Sequence, residues 1–164
     1  MSLSDYFTRK PAFEIFPLET ADAGLAATLH QLRFPQPWND GEFHSLLSQE
    51  PVFGFLAVKQ GVLGRTAGGF VLARAAAGEA EILTISVDQR FGRSGLGWRL
   101  MLAALREAKM RGAEDVFLEV DEVNHAARGL YGKLGFVKAG ERKAYYAAPD
   151  GSRSSALVMR RDLR

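Results

Sequence analysis

The order of apolar, glycine-rich and helix-periodic segments along these 164 residues predicts an α/β fold: a mixed sheet with helices on both faces. Two observations carry this. Strand-like and helix-like patterns alternate as strand, two helices, three strands, helix, strand, helix, two strands. A strand-like apolar run, residues 79–87, passes through a loop bearing Gly92, Gly95 and Gly97 directly into a helical pattern. The chain is 47% hydrophobic and 24% charged, and its length suits one domain over residues 1–164, with 1–12 as a peripheral extension.

Residues 13–18 read as the first strand, with Phe13, Ile15 and Phe16 inward. A helix opened by Thr20 or Asp22 runs over 21–33, until Pro35 and Pro37 forbid its continuation. Asn39 or Asp40 caps a short helix over 39–47. Strands follow at 52–59, 67–75 and 79–87. In the helix over 95–111, Gly97, Leu100, Met101, Ala104, Leu105 and Ala108 share one face, and Gly112 stops it. A strand over 115–120, a helix capped by Asn124, and strands over 136–146 and 155–161 complete the order.

Several function classes are excluded early. With no cysteine there is no disulfide, thiolate metal site or cysteine nucleophile. His30, His44 and His125 lack metal-ligand spacing, so no metal is expected. A net charge of +2 is too small to point to nucleic acid. No apolar run reaches membrane-spanning length, and residues 1–10 carry no signal-like apolar core, so a cytoplasmic location is expected.

A strand, a glycine-rich turn and a helix N-terminus together form an anion site, because free backbone N–H groups and the positive end of the helix dipole meet there. The spacing is neither Gly-x-x-x-x-Gly-Lys-Ser/Thr nor Gly-x-Gly-x-x-Gly, which sets aside nucleoside triphosphatases and dinucleotide binders. Gly92-x-x-Gly95-x-Gly97 instead resembles the acetyl-CoA pyrophosphate loop of the GCN5-related N-acetyltransferases (GNAT). Gly92 stands where that family usually has Gln or Arg. A longer pattern, Asn124-x-x-Ala127-x-x-Leu130-Tyr131-x-x-Leu134-Gly135-Phe136, is similar to the second half of the same family, in particular its RimI-type branch. Members of that branch acetylate the N-terminal amine of a ribosomal protein. The resemblance spans about residues 15–159.

The resemblance implies a mostly antiparallel sheet whose central strands splay, with the coenzyme arm in the gap against the backbone of Ile85, Ser86 and Val87. It implies acetyl-CoA as cosubstrate, held by Gly92, Arg93, Ser94, Gly95, Leu96, Gly97 and Trp98, and by Asn124 and Tyr131. The acceptor attacks directly in a ternary complex.

Such chemistry needs a base for the amine, polarisation of the thioester carbonyl and a proton for the departing thiolate. Glu119 lies on an otherwise apolar strand, and a carboxylate among apolar residues can serve as a base. Strand alternation alone would simply turn it to solvent. Tyr131 sits on an amphipathic helix, where a tyrosine is ordinarily a core residue. The resemblance makes Glu119 the base and Tyr131 the acid. Trp38, Tyr145 and Tyr146, with Glu119, are candidates for lining the acceptor entrance.

Removing a proton from lysine at neutral pH costs roughly 3 kcal/mol more than from an α-amine, which favours a protein N-terminus. Two alternatives remain open: a small-molecule amine acetyltransferase, and a non-catalytic coenzyme A-binding module. No nucleic acid or membrane partner is expected, and the chain is expected to act as a monomer or homodimer.

Overall fold

The computed structural model describes residues 12–164, so the expected extension over 1–12 lies outside the described residues but for its last. The elements are β1 (Glu14–Pro17), α1 (Ala23–Gln31), α2 (Asp40–Leu47), β2 (Val52–Gly61), β3 (Gly64–Ala76), β4 (Glu79–Val87), α3 (Leu96–Met110), β5 (Asp115–Asp121), α4 (His125–Lys133), β6 (Val137–Ala147) and β7 (Arg153–Asp162). The order is the one that the sequence predicts. The seven strands form one sheet in the order β1-β2-β3-β4-β5-β7-β6, antiparallel at every junction except β4/β5.

Local chemistry explains the joints. Ala77 and Gly78 both have positive φ, 54° and 81°, the backbone that a two-residue β3–β4 hairpin requires. At α2, Asn39 Oδ1 accepts from the Glu42 N–H while Glu42 Oε2 accepts from the Asn39 N–H, a reciprocal cap. A short 3-10 turn, Thr20–Asp22, precedes α1, and Asp22 there accepts from the Glu19 N–H.

Helices cover both faces. The α3 stripe packs Leu100, Met101, Ala104 and Ala108 onto Val71, Val116 and Leu118. On the opposite face, α1 and α2 bury Ala26, Leu29 and Phe43 against Leu56, Phe70 and Leu72. One inward assignment fails. Phe13 and Ile15 pack against the α3 side, but Phe16 is exposed, because alternation on the edge strand turns it away from them.

Two irregularities open the middle of the sheet. β4 pairs with β5 at only three positions, Glu79↔Asp115, Ala80↔Val116 and Glu81↔Phe117. Beyond Glu81 the strands part, although β4 stays paired with β3 to Val87 and β5 with β7 to Asp121. Just past that point β4 carries a bulge: Leu72 pairs with Thr84 and Ala73 with Ile82, leaving Leu83 as the extra residue.

The β2–β3 contact also demands a residue without a side chain. A Cβ on Gly54 would lie 2.4 Å from the Val71 carbonyl oxygen, which is part of the sheet backbone. Gly54→Ala is therefore expected to destabilise the fold by about 1–3 kcal/mol, the usual range for overpacking, as read from the denaturant midpoint.

Candidate active site

The parting of β4 and β5 opens two cavities. One, of about 410 Å³, lies between the end of β4, the turn before α3, and α4. The other, of about 490 Å³, lies between β4 and β5 and is closed off by Arg33, Phe34 and Tyr146. They share Arg33, Phe34, Ile85, Asn124 and Tyr131, so two compartments meet over one tyrosine.

Strand periodicity decides which backbone groups face the gap. The Asp88 N–H donates to Gly68 on β3 at 2.9 Å, so the polar groups of Ser86 face β3 as well, and those of Ile85 and Val87 face the opening. Ser86 borders the first cavity, but its hydroxyl turns away and donates to the Leu29 carbonyl at 2.8 Å.

The turn into α3 is pinned by Asp88, which accepts from the Arg90 backbone at 2.9 Å and from its guanidinium at 2.8 and 3.1 Å. Those bonds hold the Asp88 carboxyl below the usual carboxylate range. Arg93 and Gly95 follow with φ of 61° and 79°. No side chain caps α3, and its first backbone bond runs from Arg99 to Gly95. The N–H groups of Leu96, Gly97 and Trp98 are therefore left for a ligand. Leu96 itself is buried, so only its backbone is offered. A Cβ on Gly97 would sit 3.2 Å from Leu130 Cδ2, so this glycine lets α4 approach α3. Gly92, Arg93, Gly95 and Trp98 also line the cavity. Ser94 is not among the lining residues; its hydroxyl donates to the Phe91 carbonyl.

Asn124 borders both cavities and caps α4, accepting from the Ala127 N–H at 3.2 Å. Tyr131 is 6% exposed and packs edge-on against Phe136. Burial pushes its phenol up to about 12, so it stands as a protonated donor at neutral pH.

Glu119 occupies a different setting from the apolar one expected. Its sequence neighbours Leu118 and Val120 are buried on the α3 side, and alternation turns Glu119 the other way, into the second cavity. There Oε1 forms an ion pair with Arg142 Nη2 at 3.1 Å. Asp121 shares that face and also lines the cavity. Tyr146 lines it too, its phenol held protonated by burial and then by the charges of Glu119 and Asp121.

Trp38 and Tyr145 do not reach the cavity. Trp38 lies behind its wall, stacked on His30, and Tyr145 is exposed beneath the Arg142 guanidinium. Sequence patterns do not single out Arg33, Phe34, Asp121, Arg142 or His30 as site residues. The i, i+2 relation of Asp121 to Glu119 is a usable signal for that one carboxylate neighbour. Arg142 has none, since a bulge in β6 sets its direction. Among the described residues no cluster of three metal-ligating side chains occurs, and no helix is long and apolar enough to cross a membrane.

Two compartments joined at one buried donor, with free N–H groups at the end of one of them, make the layout of a group-transfer enzyme that holds both substrates at once. The model of the Acetyltransferase (GNAT) family matches residues 25–136. The [ribosomal protein bS18]-alanine N-acetyltransferase of Escherichia coli K12 is 33% identical over 145 residues, 88% of this chain and 94% of that protein. Its counterpart in Salmonella typhimurium is 32% identical over 142 residues, 87% and 92% of the two chains. The crystal structure of the ribosomal-protein-S18-alanine N-acetyltransferase from E. coli matches with a TM-score of 0.83 at 32% identity, covering 92% of this chain and 94% of that one. Arabidopsis thaliana NAA60, solved in complex with acetyl-CoA, shares the fold at a TM-score of 0.79 and 16% identity, covering 92% and 98%. The chain belongs to the GNAT acetyltransferases, and its cosubstrate is acetyl-CoA.

The buried phenol has a measurable signature. Its value in the fold, about 12, lies above the ordinary 10, so the unfolded chain releases this proton first. Its contribution to stability is full below pH 10 and is lost as pH rises to about 12, amounting to roughly 3 kcal/mol. Tyr131→Phe is expected to flatten that part of the stability–pH curve and to remove the highest step from the ultraviolet phenolate titration.

Proposed function

We propose that the enzyme transfers the acetyl group of acetyl-CoA to the N-terminal α-amine of a protein, with a ribosomal protein beginning in alanine as the favoured acceptor. The carrying observation is the meeting of the two cavities at Tyr131 and Ile85, with Glu119 on the far wall of the second. The printed names of the E. coli and Salmonella relatives support the acceptor.

Acetyl-CoA supplies a thioester-activated acyl group. The N–H groups of Leu96, Gly97 and Trp98 take its pyrophosphate, with Arg93 alongside. The backbone of Ile85 and Val87 pairs with the pantetheine arm, and Asn124 contacts that arm from α4. Glu119 removes a proton from the acceptor ammonium, through water where the distance requires it, freeing the lone pair. The Val87 region of β4 offers an N–H to the carbonyl oxygen as the carbon becomes tetrahedral. Tyr131 gives its phenolic proton to sulfur as the C–S bond breaks. Tyr146 lines the acceptor side.

The decisive experiment monitors coenzyme A release with an alanine-initiated peptide, the same peptide N-blocked, and a panel of small amines. Turnover of the free peptide alone supports the proposal. Turnover of a small amine alone replaces the acceptor and leaves the chemistry standing.

Glu119→Gln is expected to lower kcat/KM for the peptide by about 10²-fold or more while acetyl-CoA binding is unchanged. Unaltered turnover across the pH range would remove Glu119 as the base. Tyr131→Phe is expected to lower kcat by a comparable factor with the far-ultraviolet circular dichroism retained.

A further inference from the structure

His30 is 3% exposed and stands at the end of α1, behind the wall of the acceptor cavity. Both ring nitrogens are engaged. Nδ1 accepts from the Trp38 backbone N–H at 3.0 Å. Nε2 lies 3.2 Å from the Thr84 hydroxyl on β4. An acceptor at Nδ1 carries no proton, so the ring is the neutral Nε2–H tautomer donating to Thr84. The ring also stacks on Phe34 at 4.0 Å and 14°, and on Trp38 at 5.0 Å and 22°, with Phe43 edge-on at 5.4 Å. Its own carbonyl accepts from the N–H groups of Arg33 and Phe34. The segment over 33–38 is thus fastened to one histidine by one hydrogen bond to its ring, two to its carbonyl and two stacked rings. That segment supplies Arg33, Phe34 and Pro35 to the cavity, and Thr84, the other partner, lines the cavity from β4.

We propose that His30 is the positioning residue of the acceptor wall: in its neutral form it locks the 33–38 segment to β4, and protonation releases that segment and weakens acceptor binding more than acetyl-CoA binding, because Arg33 and Phe34 border both cavities but Pro35 and Thr84 only the acceptor one. The inference rests on the assignment of the second cavity to the acceptor.

Protonation puts a hydrogen on Nδ1, facing the Trp38 N–H, so a hydrogen bond becomes a contact between two donors. The charged groups near the ring are few. Glu42 of α2 favours the imidazolium, but that carboxylate is already spent on the Asn39 N–H at the α2 cap. Arg33 lies three residues on, past the end of α1. From β3 and β4 the ring meets Phe70, and Thr84, which does not titrate in this range. Burial outweighs Glu42 and holds the imidazole below its ordinary value, so the lock is closed at neutral pH and opens on the acid side.

The test pairs spectroscopy with kinetics on the full chain. A ¹⁵N-detected titration of His30 is expected to show the Nε2–H tautomer at pH 7.5, and the Trp38 amide resonance is expected to shift with the same midpoint as the ring. An Nδ1–H tautomer, or a Trp38 amide indifferent to the ring, overturns the proposal without any variant being made. Acceptor KM is then measured against pH in the wild type and in His30→Asn, whose Oδ1 can accept the Trp38 N–H but does not titrate. Relative to the variant, wild-type acceptor KM is expected to rise about tenfold per pH unit below the His30 midpoint, with acetyl-CoA KM rising less over the same range. Parallel acceptor profiles in the two proteins overturn the proposal. Absence of turnover with every amine strikes at the proposed function instead, and the titration still reads the lock.

Discussion

The site depends on β4 and β5 separating after three residue pairs. Each strand keeps its ladder on the outer side, β4 with β3 (but for the bulge at Leu83) and β5 with β7, so parting costs only the hydrogen bonds that would have crossed between them. The gain is a pair of strand edges inside the molecule. An unpaired edge on a surface invites aggregation, whereas here α3, α4 and the α1–α2 segment enclose it. The bulge at Leu83 adds to the divergence and reverses the side-chain parity of β4. Ala80 and Ile82 face α3 before it, and Ile85 and Val87 face α3 after it, while Thr84 and Ser86 turn toward α1. Without that shift the strand would bring a different set of peptide groups to the opening.

The turn into α3 shows how backbone alone is made into a binding surface. Arg93 and Gly95 both adopt left-handed φ, a conformation that costs a non-glycine residue of the order of 1–3 kcal/mol. The Asp88–Arg90 bonds fix the turn just upstream, and Gly97 lets Leu130 come within contact of the first turn of α3. Because the groups offered are main-chain N–H donors, Gly92 does not impair the cradle by lacking the longer side chain. Its lack of a side chain keeps the approach to the backbone open.

Much of this is legible in the sequence where one period governs one element. The α3 stripe, the Asn39 and Asn124 caps and the glycine turn follow local rules, and the structure contains them. The order of elements also follows from period and punctuation. The splay is implied by family resemblance, since no local pattern distinguishes a strand paired for nine residues from one paired for three. Parity arguments fail where a bulge or an edge intervenes. Tyr145 and Tyr146 are adjacent, yet only Tyr146 reaches the cavity, because β6 bulges between Arg142 and Tyr146 and Ala144 takes a φ of 51°. Trp38 sits in a proline-broken loop, which points it to the entrance. It instead packs behind that entrance, since a buried imidazole offers its backbone and its ring a partner at once. The strand of Glu119 is legible, but its apolar sequence neighbours lie on the opposite face and say little about its surroundings.

The two compartments are built from different materials, and that difference bears on specificity. The first is formed by glycines, main-chain N–H groups and strand edge, which recognise features any acetyl-CoA carries. The second is formed by side chains: Glu81, Glu119 and Asp121 against Arg33 and Arg142, with Phe34 and Tyr146 between them. An entering cation there meets a carboxylate already paired with Arg142. Both partners keep contact with solvent, with the Arg142 side chain 57% and the Glu119 side chain 30% exposed, so the pair is screened and one cation can replace the other at small cost. That suits the proposed acceptor, an ammonium able to take the guanidinium's place beside Glu119. Substitutions on β5 or β6 bear on the second compartment alone, whereas changes at Arg33 or Phe34 reach both, so the two strands are where the choice of amine can vary without touching the backbone at the first.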